Sequence, residues 1–326
     1  GQDAGPVFAT NCCRVCWCSL TFAVRKGRTL VRAAPGSAFA VSLRDRALRI
    51  PSAGPSGPSL YRPWFGGQWQ LGYTGLAMQL LAAERQPSRA PWADTPAVAI
   101  LASETLTKQH AHYAAAKSGD IESAMALVEE LLDRRGARRK VSMLIKRLNP
   151  IIVPVHAVES TSVNVIPMAL AEALSVDFDL RVNHDVLQAN RVSHTGSSGY
   201  HRLATPPLFA GDVMPGEDYL IVDDFVGQGG TLANIRGHIE TNGGNVIGLV
   251  ALTGQKRSAT IAVATETLQD LRAKHAALEN WWGEVFGYGF ELLTESEARY
   301  LLNSPDVDTI RTKIAEIARE GDGHPG

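Results

Sequence analysis

The sequence predicts an α/β fold: a parallel sheet flanked by helices, with an N-terminal helical hairpin and a helical C-terminal extension. Three short apolar runs carry the prediction: "IIVPVHA" (151–157), "YLIVDD" (219–224) and "NVIGLVALTG" (245–254). Each is brief and rich in β-branched residues, as a strand buried on both faces must be. Helix-like stretches follow the first two, "VIPMALAEALS" (165–175) and "TLANIRGHIETNGG" (231–244). A strand–helix–strand alternation joins parallel strands by crossovers and covers both faces of the sheet.

The bulk numbers agree with a folded chain. It has 326 residues, of which 45% are hydrophobic, enough to bury a core. A net charge of −1 gives no global field for nucleic acid, and no run of about 18 apolar residues reads as a membrane span. The charge is uneven. Residues 1–102 carry 11 Lys and Arg against 4 Asp and Glu. That segment is rich in Pro, Gly and Ser, without a sustained period, and reads as a low-order leader. Its first methionine is Met78, so one expectation for residues 1–77 is upstream sequence that is not native coding sequence. All four cysteines (Cys12, Cys13, Cys16, Cys18) lie there. Cys13 and Cys16 have half the spacing of a zinc site but no second pair follows. The absence of cysteine beyond Cys18 fits a cytoplasmic protein.

Order is expected from Ser103. Residues 103–133 read as two helices, with Ser103 capping the first, Gly119 ending it and Asp120 capping the second. His110, Tyr113 and Lys117 share one face, for packing or for contact with a ligand. "RRGARRK" (134–140) reads as a solvated linker, closing a segment 103–149. The α/β core is assigned to 150–262. Within it "DFDLRVN" (177–183) is a further candidate strand. "QANRVSHTGSSGYHRLATPP" (188–207) is a long polar loop of the kind that covers a site. Residues 263–326 read as helices, with Trp281, Trp282 and Phe286 as packing residues.

The chemistry concentrates in "YLIVDDFVGQGGTLANI" (219–235). In an open α/β sheet ligands sit at the carboxyl ends of the strands, and Asp223 and Asp224 are placed there. The glycines after them let backbone N–H groups close around an anion, and the helix starting near Thr231 points its positive end at the same spot. One side of the turn thus suits a phosphate and the other suits hydroxyl groups, as in a phosphorylated sugar. A P-loop is excluded because no Lys follows the glycines, and a dinucleotide loop because the Gly-x-Gly-x-x-Gly spacing is absent. A tight strand-to-helix turn capped by two acids, with no ligand, is the plainer alternative.

This stretch resembles the signature of the type I phosphoribosyltransferases, which bind 5-phosphoribosyl 1-pyrophosphate (PRPP). The resemblance spans about residues 150–260. It implies that Asp223 and Asp224 are catalytic residues contacting the ribose hydroxyls. It implies that Gly227, Gln228, Gly229, Gly230 and Thr231 form the 5-phosphate loop. By order along the chain, His156, Glu159, Ser160, Thr161 and Ser162 would belong to the pyrophosphate loop. Arg191, His194 and Arg202 are candidates on the flexible loop. "IIVPVHAVESTSVNVIPMALAEAL", "QANRVSHTG" and "LTESEARYLL" together also resemble a bacterial phosphoribosyltransferase-like group. The implied activity is transfer of the phosphoribosyl group to a small nitrogen acceptor, such as a nucleobase, releasing pyrophosphate. Mg2+ would be carried with PRPP, no residue is assigned as its direct ligand, and a homodimer is compatible with the family. Gly227 and Gln228 stand where the family often has Thr, and Gly227 replaces the acid that purine-salvage members use on the base. That argues against hypoxanthine or guanine. It also keeps open a second reading, a non-catalytic module of the same fold that senses PRPP or a nucleotide.

Overall fold

The computed structural model of the chain describes residues 21–25, 28–32, 86–92, 97–155, 164–190 and 198–322. The chain divides into two units, residues 1–75 and 76–326. In the first, strands β1 (Thr21–Arg25) and β2 (Arg28–Arg32) pair antiparallel, Thr21 opposite Arg32.

The second unit is built on a four-stranded, all-parallel sheet in the order β3-β8-β7-β4. These strands are β3 (Ala99–Ser103), β4 (Ile151–Pro154), β7 (Asp218–Val226) and β8 (Asn245–Gly254). Two short strands, β5 (Leu187–Gln188) and β6 (Phe209–Ala210), pair antiparallel at the base of the long polar loop. The three expected strands of the core are all present. β7 alternates its side chains between two apolar layers, as a strand buried on both faces must. Leu220 and Val222 join the layer of helices α3 (Ile121–Leu132), α4 (Ala137–Ile145) and α5 (Ile166–Phe178). Tyr219 and Ile221 join the opposite layer with α7 (Gly230–Thr241). Between α5 and α7 lies the short helix α6 (Gly199–Ala204). A third core holds the C-terminal helices around Trp282, Phe286 and Phe290.

Four expectations are corrected. Order does not wait until Ser103. β3 begins at Ala99 and ends with Ser103, Trp92 is buried in the core, and its indole Nε1 donates to the Leu293 carbonyl at 2.9 Å. The first helix of the hairpin is broken into α1 (Glu104–Lys108) and α2 (Tyr113–Lys117). The His112 amide donates to His110 Nδ1 in the turn between them. The caps behave as expected. Ser103 accepts from the Leu106 amide, Asp120 accepts from the Ser123 amide at 2.6 Å, and Gly119 takes a left-handed φ of +100°. The basic run 134–140 is not a plain linker. Its second half enters α4, Arg138 pairs with Asp133 and Asp177, and Lys140 Nζ donates to the Ile100 carbonyl. Residues 177–183 give no full strand. α5 runs on to Phe178, leaving a single parallel bridge from Ile152 to Val182.

That bridge matters for the site. From β4 the chain leaves through α5 toward Val182 at one side, while from β7 it leaves through α7 toward β8 at the other. Neighbouring strands whose connections part in opposite directions open a crevice at their carboxyl ends.

Candidate functional site

A cavity of about 280 Å³ lies at that crevice. β7 enters it with Asp223 and Asp224, both buried at 6% and 7% exposure, and runs on to Val226. Asp223 follows Ile221 and Asp224 follows Val222 in the strand's alternation, yet the two carboxyl groups stay close enough to interact. The Asp224 backbone amide donates to Asp223 Oδ1 at 2.8 Å, which fixes that carboxyl group. Burial first, and then the neighbouring Asp224 carboxylate, push the Asp223 carboxyl well above the usual range.

The turn after the strand is shaped by its glycines. Gly229 caps α7 with φ +83°, a left-handed conformation that a side chain would strain. Gly230 starts the helix, and a Cβ there would stand 2.5 Å from Glu297 Oε1. A Cβ on Gly227 would meet Arg202 Nη1 at 2.9 Å. The first amides of α7 have no partner within the helix and carry its positive end. Gly227, Gln228, Gly229, Gly230 and Thr231 all line the cavity, beside the first turn of α7.

The turn is braced from behind by residues far from it in sequence, two of them in the "LTESEARYLL" stretch (293–302). Thr294 Oγ1 donates to the Gln228 carbonyl at 2.6 Å. Thr294 caps α10 (Glu295–Leu302), and Glu297 completes a reciprocal capping box with it. Helices α8 (Thr265–Lys274) and α9 (Ala276–Phe286) precede it in the chain. Arg89 reaches Glu297 through two hydrogen bonds and Asn234 Oδ1 through a third. Its guanidinium also lies 4.8 Å over the ring of Tyr288. The backbone at Ser88 and Arg89 lies so close to α7 that Gly237 is the residue that fits there.

The opposite wall comes from the helical hairpin. Lys117 Nζ lies 2.8 Å from Asp224 Oδ2. Lys108 stands 5.1 Å over the ring of Phe225 and pairs with Glu104 at 2.6 Å. Tyr113 lines the same wall, and burial holds its phenol above the ordinary value against the pull of Lys117. Of the helix face read from sequence, Tyr113 and Lys117 therefore reach the cavity. His110 turns away and meets Glu130 at 3.0 Å.

Arg202 also lines the cavity. Arg191 and His194 lie outside the described residues, as do His156, Glu159, Ser160, Thr161 and Ser162. The residues flanking that second group are placed: Val155, which follows β4, and Asn164, which precedes α5, both line the cavity. Among the described residues no group of three or more His, Cys, Asp and Glu could hold a metal ion. None of the described helices is long and apolar enough to cross a membrane.

No protein-family model matches the chain. It is 40% identical over 242 residues to protein TraN of Escherichia coli, covering 74% of this chain and 54% of that protein. It is 39% identical over 158 residues to an uncharacterised protein of Haemophilus influenzae, covering 48% of this chain and 35% of that one. The chain thus spans about half the length, or less, of the curated relatives it matches. The similar solved structures include two at 14% identity. One is UMP synthase from Leishmania donovani, with a TM-score of 0.25 over 54% of this chain and 35% of that one. The other is adenine phosphoribosyltransferase from Rhodothermus marinus, with a TM-score of 0.26 over 56% of this chain and all of that one. The fold assignment rests on the strand register above: a four-stranded parallel sheet flanked by helices, with a cavity at the carboxyl ends of β4 and β7.

Proposed function

We propose that the cavity binds the 5-phosphoribosyl group of PRPP and that the protein transfers it to a small nitrogen acceptor, releasing pyrophosphate. One observation carries the reading. Two buried carboxylates at the tip of β7 and the glycine turn at the start of α7 line a single cavity, with Lys108, Lys117 and Arg202 on its walls. The turn offers amides to a phosphate, the carboxylates accept from sugar hydroxyls, and the cations suit further phosphate oxygens.

The chemistry asks little covalent work of the protein. The bond from C1 to pyrophosphate breaks with its electron pair on the leaving group, and the acceptor nitrogen bonds to C1 and gives up a proton. Asp223 and Asp224 would hold the ribose and favour the positive charge developing on its ring. Mg2+ would neutralise the pyrophosphate. Carried with the substrate, such an ion would keep waters and take substrate oxygens, asking at most one or two carboxylates of the protein.

The absence of hydroxyl side chains at Gly227 and Gln228 favours a second reading, a module of the same fold that binds PRPP or a nucleotide without turnover. The test begins with a calorimetric titration of PRPP and Mg2+ into the wild type and into Asp223→Asn/Asp224→Asn. Saturable binding that the double variant loses is expected. Pyrophosphate release with an acceptor then supports the enzyme over the sensor. No heat with the folded wild type sinks both.

A further inference from the structure

We propose that Lys117 makes the site selective for a sugar phosphate carrying a second anionic group at C1. Lys117 would guard Asp224 in the free protein and pass to that group when the sugar arrives. The proposal rests on the phosphoribosyl reading of the cavity and adds a residue from outside the strand–turn–helix motif.

The ligand's direction follows from the two faces of the sheet. α7, whose first turn offers the phosphate-binding amides, packs in the layer with Tyr219 and Ile221. Tyr113, Ala116 and the rest of the helical hairpin pack in the opposite layer, with Leu220 and Val222. A ligand with its 5-phosphate at the head of α7 therefore extends across the tip of β7 toward the hairpin wall. Asp223 and Asp224 lie along that path, and Lys117 lies at its far end.

There Lys117 Nζ and Asp224 Oδ2 are 2.8 Å apart, with side-chain exposures of 30% and 9%. A sugar hydroxyl needs the same carboxylate oxygens that the ammonium engages. The two compete, so sugar binding draws Lys117 away from Asp224. A ribose 5-phosphate puts only a hydroxyl at the C1 end, and the displaced charge loses a charge-assisted contact. A diphosphate at C1 restores one. Lys108 adds a second ammonium group to the same wall, over the ring of Phe225. The hairpin thus reads the leaving-group end of the ligand, while the glycine turn reads its 5-phosphate.

The experiment compares ribose 5-phosphate with PRPP, each with Mg2+, titrated calorimetrically into the wild type, Lys117→Met and Lys117→Arg. Thermal melting confirms that each variant is folded. Lys117→Met keeps the apolar stem and removes the charge. It is expected to lose about tenfold or more in PRPP affinity, to hold or gain affinity for ribose 5-phosphate, and to be restored by Lys117→Arg. An equal loss for both ligands, or no loss for either, overturns the role of Lys117 and leaves the phosphoribosyl reading standing. A wild type that binds neither ligand overturns both.

Discussion

Arg89 and Glu297, 208 residues apart in sequence, form a two-pronged ion pair against the turn that follows Asp224. Arg89 Nη2 lies 2.9 Å from Glu297 Oε1 and Nη1 lies 3.0 Å from Oε2. Their side chains are 3% and 5% exposed. The pair ties the segment before β3 to the C-terminal helices, and both residues line the cavity.

Breaking this pair from one side leaves a charge buried without its partner. Arg89→Met is therefore expected to destabilise the fold by about 3–5 kcal/mol. Glu297→Gln keeps an acceptor for the Thr294 amide and loses less. The double variant Arg89→Met/Glu297→Gln should cost less than the sum of the two singles, since neither charge is then stranded. Urea unfolding of the four proteins measures the coupling. Strict additivity would mean that the pair contributes nothing beyond its separate contacts.

Two glycines of the turn, Gly229 and Gly230, differ from a third in α9. Gly229→Ala forces a side chain into φ +83° and should cost about 1–2 kcal/mol. Gly230→Ala puts a Cβ 2.5 Å from Glu297 Oε1, and Arg89 restrains that carboxylate from moving away. It should also loosen phosphate binding, read as weaker binding of ribose 5-phosphate. Gly283, within α9, has nothing within 4 Å of an added Cβ. Gly283→Ala should raise stability by about 0.5–1 kcal/mol and leave ligand binding unchanged. Melting temperatures with and without ligand separate the three cases.

How much of this was legible in the sequence follows from the range of each signal. β7 and its turn were readable because an apolar run, two acids and clustered glycines lie within 14 residues. β3 was not. Its "AILAS" follows a Pro-rich stretch, is too short for a period, and contains two alanines that suit helix or strand alike. The break at His110–His112 was also hidden, since no residue between Lys108 and Tyr113 forbids a helix. Tyr113 and Lys117 shared a readable face, but only the fold places that face at Asp224. No local spacing could relate Arg89 to Glu297. The bracing of the turn is a property of the tertiary fold.

The buried dyad makes both stability and binding depend on pH, in opposite senses. Burial and the Asp224 carboxylate raise the Asp223 carboxyl, while the Asp224 amide and Lys117 pull it down by less. In the unfolded chain the same group titrates near pH 4. Between that value and the raised folded value the native state holds a proton that the unfolded state has released. Stability therefore falls as pH rises through this window, by the linkage of proton uptake to folding. Asp223→Asn removes that titration and keeps an acceptor for the Asp224 amide. Its stability curve should be flatter, and its advantage over the wild type should grow with pH across the window. Affinity for ribose 5-phosphate should rise in the wild type over the same window, because the ionised carboxylate is the better acceptor for a sugar hydroxyl. The part of that rise that Asp223 carries should be lost in Asp223→Asn, leaving the rise from the ligand's own phosphate ionising at about pH 6. Urea midpoints and calorimetric affinities at half-unit steps of pH measure both curves. Parallel stability curves for the two proteins would show that Asp223 does not carry the titration.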